Sequence, residues 1–87
     1  MVSRMVTVIN PTGLHLRPAG NLCGAAMKFK SRITLSYRGG QANAKSVLSV
    51  LGACVKRGDE IEICCEGADE EEALAEIVKA IESGLGE

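Results

Sequence analysis

The clearest sheet signal in the chain is the stretch Glu60-Ile61-Glu62-Ile63-Cys64-Cys65-Glu66. Polar and apolar side chains alternate along it, with Ile61, Ile63 and Cys65 sharing one side. Because successive side chains of a strand point to opposite faces, this pattern predicts a strand with one buried and one wet face. Strands of this kind are typical of antiparallel sheets that other elements cover on one side only.

A helix is predicted directly after this strand. Asp69 and Glu72 have the spacing of a capping box at its start, and Gly84 marks its end. Its buried face is predicted from four apolar residues at helical spacing, which are Leu74, Ile77, Val78 and Ile81.

Three further strands are predicted upstream. Met5–Ile9 is rich in β-branched residues, and Ile33–Tyr37 alternates between apolar and hydroxyl side chains. Gly39-Gly40 predicts a tight turn, after which Gln41–Ala44 can return as a short strand.

Two more helices complete the set. One begins at about His15 or Leu16, and the other runs from Val47 to about Ala53. The buried face of the first is predicted at Ala19, Leu22, Cys23 and Ala26. The resulting order of strand, helix, strand, strand, helix, strand, helix predicts an α+β fold, with helices on one face of an antiparallel sheet.

Length and composition limit the possibilities. The 87 residues suffice for one domain, and a single Phe, a single Tyr and no Trp leave an aliphatic core. A net charge of −1 gives no reason to expect nucleic acid or a membrane surface as partner. We see neither a signal peptide nor a membrane-spanning segment, and expect a cytoplasmic protein. Its basic first half suits acidic protein partners.

The four cysteines are interpreted as structural thiols. Cys23 and Cys54 stand alone in helical patterns, where cysteine acts as a small apolar residue. Cys64 and Cys65 are neighbours in a strand, so their side chains face opposite ways and cannot grip one metal ion. We therefore expect no metal site, although a Cys/His metal-binding module remains a third functional alternative.

His15 is the only histidine and lies just ahead of a predicted helix. Gly13 frees the backbone before it, and Pro18 fits only the first turn of a helix. A helix start offers unpaired N–H groups to an anion, and Arg17 adds a planar charged donor. The ring nitrogen of a neutral imidazole can accept a phosphoryl group. The alternative is an ordinary histidine without chemistry.

No carboxylate stands near His15 in the sequence, because every Asp and Glu lies from Asp59 onward. A hydrolase would need an acid to orient the imidazole. This favours a carrier, whose chemistry other proteins complete, over an enzyme. The other face of the same helix carries Gly20, Asn21, Gly24 and Met27. These glycines are either simply tolerated or form a flat face that a partner can approach closely.

Ser46 is predicted to be the N-cap of the short second helix. A phosphate on Ser46 would be stabilised by the helix start and by Lys45. The helix is too short to bury both its apolar stripe and Val50, so one side is left as a docking patch. That stripe consists of Val47, Leu48 and Leu51.

Both motifs resemble those of the HPr family, the histidine-containing phosphocarriers of the bacterial sugar phosphotransferase system. Gly13-Leu14-His15-Leu16-Arg17-Pro18-Ala19 resembles the family's active-site motif, and Lys45-Ser46-Val47-Leu48 its regulatory-serine motif. Gly67-Ala68-Asp69-Glu70 and Gly84-Leu85-Gly86-Glu87 are similar to the Gram-positive branch. The resemblance covers the whole length and implies one HPr-like domain over residues 1–87. It implies an open-faced β-sandwich, a four-stranded antiparallel sheet covered on one face by three helices.

The resemblance also implies a function. His15 would accept a phosphoryl group at Nδ1 from enzyme I, which takes it from phosphoenolpyruvate, and pass it to enzyme IIA domains; Arg17 would hold the phosphate. HPr kinase/phosphorylase would modify Ser46, giving a corepressor for catabolite control protein A that accepts phosphate poorly at His15. A monomer without cofactor is expected. The docking surface is expected to comprise Thr12, Leu16, Gly20, Asn21, Gly24, Met27, Val47, Leu48 and Leu51.

The chain departs from the family pattern at three positions. Leu16 replaces a usually small residue beside the imidazole, Gly20 replaces Ser or Thr, and Cys54 stands where relatives more often have glycine. An alternative function is a mainly regulatory, HPr-like corepressor that acts only through Ser46. Relatives of that kind lack the histidine, so His15 favours the phosphocarrier.

Overall fold

The computed structural model describes all 87 residues and contains the predicted order of elements. The four strands are β1 (Val2–Thr7), β2 (Arg32–Tyr37), β3 (Gly40–Asn43) and β4 (Glu60–Glu66). The three helices are α1 (Leu16–Ala26), α2 (Val47–Gly52) and α3 (Glu70–Glu82). The predicted α+β fold, an open antiparallel sheet with three helices, is confirmed.

The sheet has the strand order β1-β4-β2-β3, and every neighbouring pair is antiparallel. β4 therefore lies inside the sheet, where Ile63 pairs with Arg4 of β1 on one side and Leu35 of β2 on the other. Its alternation is as predicted, with Ile61, Ile63 and Cys65 buried. The outer face of the sheet carries Thr34, Ser36, Glu62 and Cys64, which are half-buried.

One hydrophobic core lies between the sheet and the helices. α3 packs on β1 and β4, α1 packs on α3, and α2 packs on α1 and β3. The core contains no aromatic ring, in agreement with the aliphatic composition. Its largest fully buried apolar side chains are those of Leu22, Ile33, Leu35, Ile61, Ile63, Ile77, Ile81, Val8, Val50 and Pro18.

The helical faces are close to those predicted. In α1 Ala19, Leu22 and Ala26 are buried, whereas Cys23 is only half-buried. In α3 Ile77, Val78 and Ile81 are buried as expected, but Ala73 takes the buried place expected for Leu74. Leu74 is half-buried and packs at the margin of the core.

The first strand begins earlier than its sequence suggests. β1 spans Val2–Thr7, whereas Met5–Ile9 was expected, because β1 pairs with β4 from Val2 opposite Cys65 to Thr7 opposite Glu60. Val8 lies outside the strand but is fully buried, and its N–H donates to the carbonyl of Asp59 at 2.9 Å.

The predicted capping box at the start of α3 is wrong. Asp69 occupies the N-cap position but makes no side-chain capping bond; instead its carboxylate accepts from the N–H groups of Lys30 and Ser31, each at 2.9 Å, and from the Ser31 hydroxyl. Glu70, not Glu72, reaches back, and accepts from the N–H of Gly67 at 3.1 Å. Asp69 therefore joins α3 to the α1–β2 loop.

No helix combines the length and the apolar character that crossing a membrane requires.

Candidate functional site

The imidazole of His15 lies at the start of α1. His15 is the N-cap residue, with an extended backbone (φ −78°, ψ −173°), and its side chain is exposed and makes no capping hydrogen bond. The predicted position of His15 near the helix start is confirmed. The ring is therefore accessible to a reagent or a partner from solvent.

The backbone at this helix start is suited to an anion. The first helical hydrogen bond runs from the N–H of Ala19 to the carbonyl of His15 at 2.8 Å. The N–H groups of Leu16 and Arg17 precede it and have no backbone partner. No acidic residue lies in the first turn of α1. Free N–H groups and the positive end of the helix dipole together favour a phosphoryl group beside His15.

The Arg17 side chain is exposed and forms neither an ion pair nor a side-chain hydrogen bond within the protein. Its guanidinium is free to bind an external oxyanion, with the planar set of donors that suits phosphate. Arg17 and His15 lie two residues apart at the same helix start.

The loop before His15 is held against the segment that connects α2 to β4. Gly13 has φ +66°, and a Cβ at this position would lie 2.6 Å from the carbonyl oxygen of Val55. Leu14 is buried, and its N–H donates to the same carbonyl at 3.0 Å. The predicted role of Gly13, to permit an unusual backbone angle, is explained by this close approach.

A carboxylate absent from the sequence neighbourhood of His15 reaches this loop from the far end of the chain. Oε1 of Glu87 accepts from Nδ2 of Asn10 at 3.0 Å and from the hydroxyl of Thr12 at 2.8 Å. These bonds, together with the positive charge of Arg17, lower the pKa of Glu87. No pattern near residue 15 could have indicated this contact, because it joins residues 75 and 77 positions apart.

The predicted docking face of α1 is largely open. Leu16 and Met27 are 62% and 63% exposed, which is high for large apolar side chains. A Cβ at Gly20 or Gly24 would meet nothing within 4 Å, so both glycines leave the surface flat. Asn21 is exposed but already engaged, since its Nδ2 donates to the carbonyl of Leu85 at 2.7 Å.

Ser46 is the N-cap of α2, as predicted. Its Oγ accepts from the N–H of Ser49 at 3.2 Å, and the side chain is half-buried. Lys45 is not directed to this serine: its Nζ donates to the carbonyl of Phe29 at 2.6 Å. Stabilisation of a phosphate by Lys45 would therefore require that bond to break.

The apolar side chains of α2 divide only in part as predicted, because Val47 and Leu51 of the expected docking stripe pack against the core. Val50 is fully buried, whereas Leu48 is 81% exposed and Val47 and Leu51 are half-buried. The α2 and α1 surfaces adjoin, since the two helices pack together and Sγ of Cys23 donates to the carbonyl of Lys45 at 3.1 Å.

All four cysteines are free. Cys65 is buried, which raises the pKa of its thiol to about 11, and Cys64 points to the other face of the sheet. No group of three or more His, Cys, Asp or Glu side chains is arranged to hold a metal ion.

Residues 2–83 match the family model PTS-HPr, described as the phosphorylation site of the HPr component of the phosphotransferase system. The chain is 44% identical over 78 residues to the phosphocarrier protein HPr of Mycoplasma pneumoniae, a match that covers 88% of this chain and 89% of that protein.

Solved structures of HPr proteins and of Crh have the same fold as this chain. HPr-C-His from Thermoanaerobacter tengcongensis has a TM-score of 0.96 and 38% identity, over 100% of this chain and 98% of that one. Crh, the catabolite repression protein of Bacillus subtilis, has a TM-score of 0.78 and 33% identity, over 97% of both chains, and forms a swapped dimer in its crystal.

Proposed function

This chain belongs to the HPr phosphocarrier family of the phosphotransferase system, and from this membership we propose that His15 carries the phosphoryl group. The observation that supports the proposal most directly is the exposed imidazole at a helix start whose free N–H groups and unpaired Arg17 can bind an oxyanion.

The proposed chemistry is a displacement at phosphorus. Nδ1 of His15 attacks the phosphorus atom of the phosphohistidine of enzyme I, which is charged from phosphoenolpyruvate. The new P–N bond forms as the donor's P–N bond breaks, and the leaving imidazole keeps the electron pair. The same exchange then delivers the phosphoryl group to an enzyme IIA domain. Arg17 and the N–H groups of α1 balance the negative charge on its oxygens in each state.

We propose a carrier and not an enzyme. Glu87 is the one carboxylate hydrogen-bonded to the loop before His15, and its bonds go to Asn10 and Thr12. The imidazole thus has no partner carboxylate of the kind that orients a general base. Any acid–base catalysis of the transfer falls to the partner, and no cofactor is involved because the imidazole itself is the acceptor.

The proposed docking surface for both partners surrounds His15. Leu16, Met27 and Leu48 are exposed apolar residues that association would bury. Gly20 and Gly24 allow the backbone of a partner to come close. Thr12, Asn21, Val47 and Leu51 complete the proposed surface. Enzyme I and enzyme IIA domains would use it in turn, which requires each complex to be short-lived.

Regulation through Ser46 is a second part of the proposal. HPr kinase/phosphorylase would transfer the γ-phosphoryl group of ATP to Oγ of Ser46, and the product would serve as corepressor for catabolite control protein A. The N-cap position favours a phosphate, and the likeness to Crh gives some support to a role in catabolite repression. The alternative, a regulator that acts only through Ser46, leaves the arrangement around His15 without a use.

We further propose that residues 1–87 form one HPr-like domain that acts as a monomer in the cytoplasm, where phosphoenolpyruvate is made. One hydrophobic core contains residues from Val6 to Leu85, which supports the single domain. Because Crh forms a swapped dimer, the proposed monomeric state needs a test. Analytical ultracentrifugation at several protein concentrations would measure the oligomeric state.

The test is phosphorylation by enzyme I with labelled phosphoenolpyruvate. Wild type should acquire an acid-labile, base-stable label, and His15→Ala should acquire none while its circular dichroism is unchanged. Labelling of His15→Ala to the wild-type level would refute the assignment. Labelling with ATP and HPr kinase should disappear in Ser46→Ala and persist in Ser36→Ala, a serine on the outer face of the sheet; no label on wild type would refute the serine regulation.

A further inference from the structure

The side chain of Glu87 is bonded to the loop that precedes His15. Its Oε1 accepts from the Asn10 amide, from the Thr12 hydroxyl at 2.8 Å and, over a longer 3.4 Å, from the Thr12 N–H. One carboxylate oxygen therefore holds two residues of the loop.

Asn10 passes this restraint on towards His15. It is 2% exposed, and its Nδ2 donates both to Glu87 and to the carbonyl of Gly13, while its Oδ1 has no partner. The orientation of the buried amide thus rests on its two Nδ2 bonds, and Glu87 supplies one of them. The Asn10 carbonyl also accepts from the N–H of Gly13 at 3.1 Å.

His15 depends on this backbone for its position. No side-chain hydrogen bond holds its imidazole, so the ring is placed by the residues on either side of it along the chain. α1 fixes the following side. The preceding side is fixed by Leu14, by the tight contact of Gly13 with Val55, and by the bonds between Asn10 and Gly13.

The segment that carries Glu87 is itself well held. Leu85 is buried, its N–H donates to the carbonyl of Ala80 at 3.1 Å, and its own carbonyl accepts from Asn21 of α1. Gly86 turns the chain at φ +86°, where a Cβ would lie 2.8 Å from Nδ2 of Asn21. Glu87 is thus presented to Asn10 and Thr12 by a fixed backbone.

We propose that Glu87 is a positioning residue, which orders the Asn10–Gly13 loop and thereby sets the place of the His15 imidazole for phosphoryl transfer. The inference rests on the proposed function of His15 as phosphoryl acceptor. It assigns a role to hydrogen bonding by Glu87 and none to contact with the phosphoryl group.

The test compares wild type with Glu87→Ala, Glu87→Gln and, as control, Glu82→Ala, which removes an exposed carboxylate of α3 that makes no hydrogen bond. Phosphorylation of His15 is measured with phosphorylated enzyme I and with phosphoramidate, a small donor that needs no docking surface. Glu87→Ala should react about tenfold more slowly with both donors, because a small displacement of a reacting group is costly in rate. Glu87→Gln should stay within about twofold of wild type, because its amide oxygen still accepts.

Backbone amide exchange supplies a readout on the loop itself. The N–H of Gly13 should exchange about tenfold faster in Glu87→Ala than in wild type or Glu82→Ala, with no change at the sheet amides. Thr12→Val should also slow the reaction. Adding Glu87→Ala to Thr12→Val should slow it less than Glu87→Ala slows wild type, because both changes remove the same bond between the Thr12 hydroxyl and Glu87.

Equal rates for Glu87→Ala and wild type would overturn the inference, and so would a Glu87→Gln variant as slow as Glu87→Ala, since charge would then govern the rate. If enzyme I fails to label wild type but the phosphoramidate rates follow the expected order, the proposed function fails and the positioning role stands. If neither donor labels His15, both fail.

Discussion

Gly13 lies so close to Val55 that a Cβ on Gly13 would be 2.6 Å from the Val55 carbonyl oxygen. We expect Gly13→Ala to lower the free energy of unfolding by about 3 kcal/mol, from the left-handed backbone together with the clash. Gly39→Ala is the matched control, because Gly39 also has a positive φ but open space around it; it should lose about 1 kcal/mol. Urea unfolding measures both, and equal losses would show that the contact with Val55 is unimportant.

Ser46 contributes to stability through its capping bond to the N–H of Ser49. Ser46→Ala should lower the free energy of unfolding by about 1 kcal/mol, whereas Ser46→Asp should keep it because a carboxylate also caps and favours the helix dipole. Ser36→Ala on the outer face of the sheet controls for loss of a hydroxyl. A Ser46→Ala variant as stable as wild type would contradict the capping role.

Arg17 should matter for transfer and not for folding, because its exposed side chain has no partner within the protein. Arg17→Ala should slow phosphoryl transfer from enzyme I by about 100-fold, the usual effect of removing one donor from a developing anion. Arg17→Lys should recover part of the rate, since ammonium supplies charge without the planar donor pair. Rapid-quench kinetics measure the rates, and a wild-type rate in Arg17→Ala would exclude the phosphate-binding role.

Asp69 should make the free energy of unfolding depend on pH in the acidic range. Hydrogen bonds from Ser31 and Lys30 lower the pKa of Asp69 from 3.8 to about 2. The folded state therefore favours the ionised carboxylate, and the stability that this contributes is present above pH 3.8 and is lost as the pH falls towards 2.

Thermal unfolding of wild type and Asp69→Asn across this range provides the measurement. Wild type should be the more stable near neutral pH, and the difference should shrink as Asp69 becomes protonated. Glu71→Gln, an exposed position in the same helical turn without a hydrogen bond, should show no such convergence. A difference that stays constant with pH would remove Asp69 as the source.

The helix starts could be predicted from the sequence because capping is local chemistry. Pro18 limits where α1 can begin, and Ser46 supplies a hydroxyl of the type that caps. The alternation in β4 was equally reliable, because burial of one face enforces it along the whole strand. These features depend on residues within a few positions of one another.

The parts that the sequence did not reveal depend on distant partners. The limits of β1 follow from its pairing with β4. The Asp69 carboxylate accepts hydrogen bonds from the N–H groups of Lys30 and Ser31 and does not cap the helix that it precedes. The contact of Glu87 with Thr12 crosses almost the entire chain. In each case the local pattern gives the type and spacing of the residues, but it does not show which distant group pairs or hydrogen-bonds with them.

The outer face of the sheet, with Thr34, Ser36, Glu62 and Cys64, carries none of the proposed site residues. These site residues lie on α1, on α2, in the segments directly before those helices or, for Met27, at the C-cap of α1. A substitution that changes the charge of this outer face therefore leaves the proposed contact residues in place. Because helices cover only one face of the sheet, the molecule has a second face whose solubility and charge can be changed independently of the proposed contact residues.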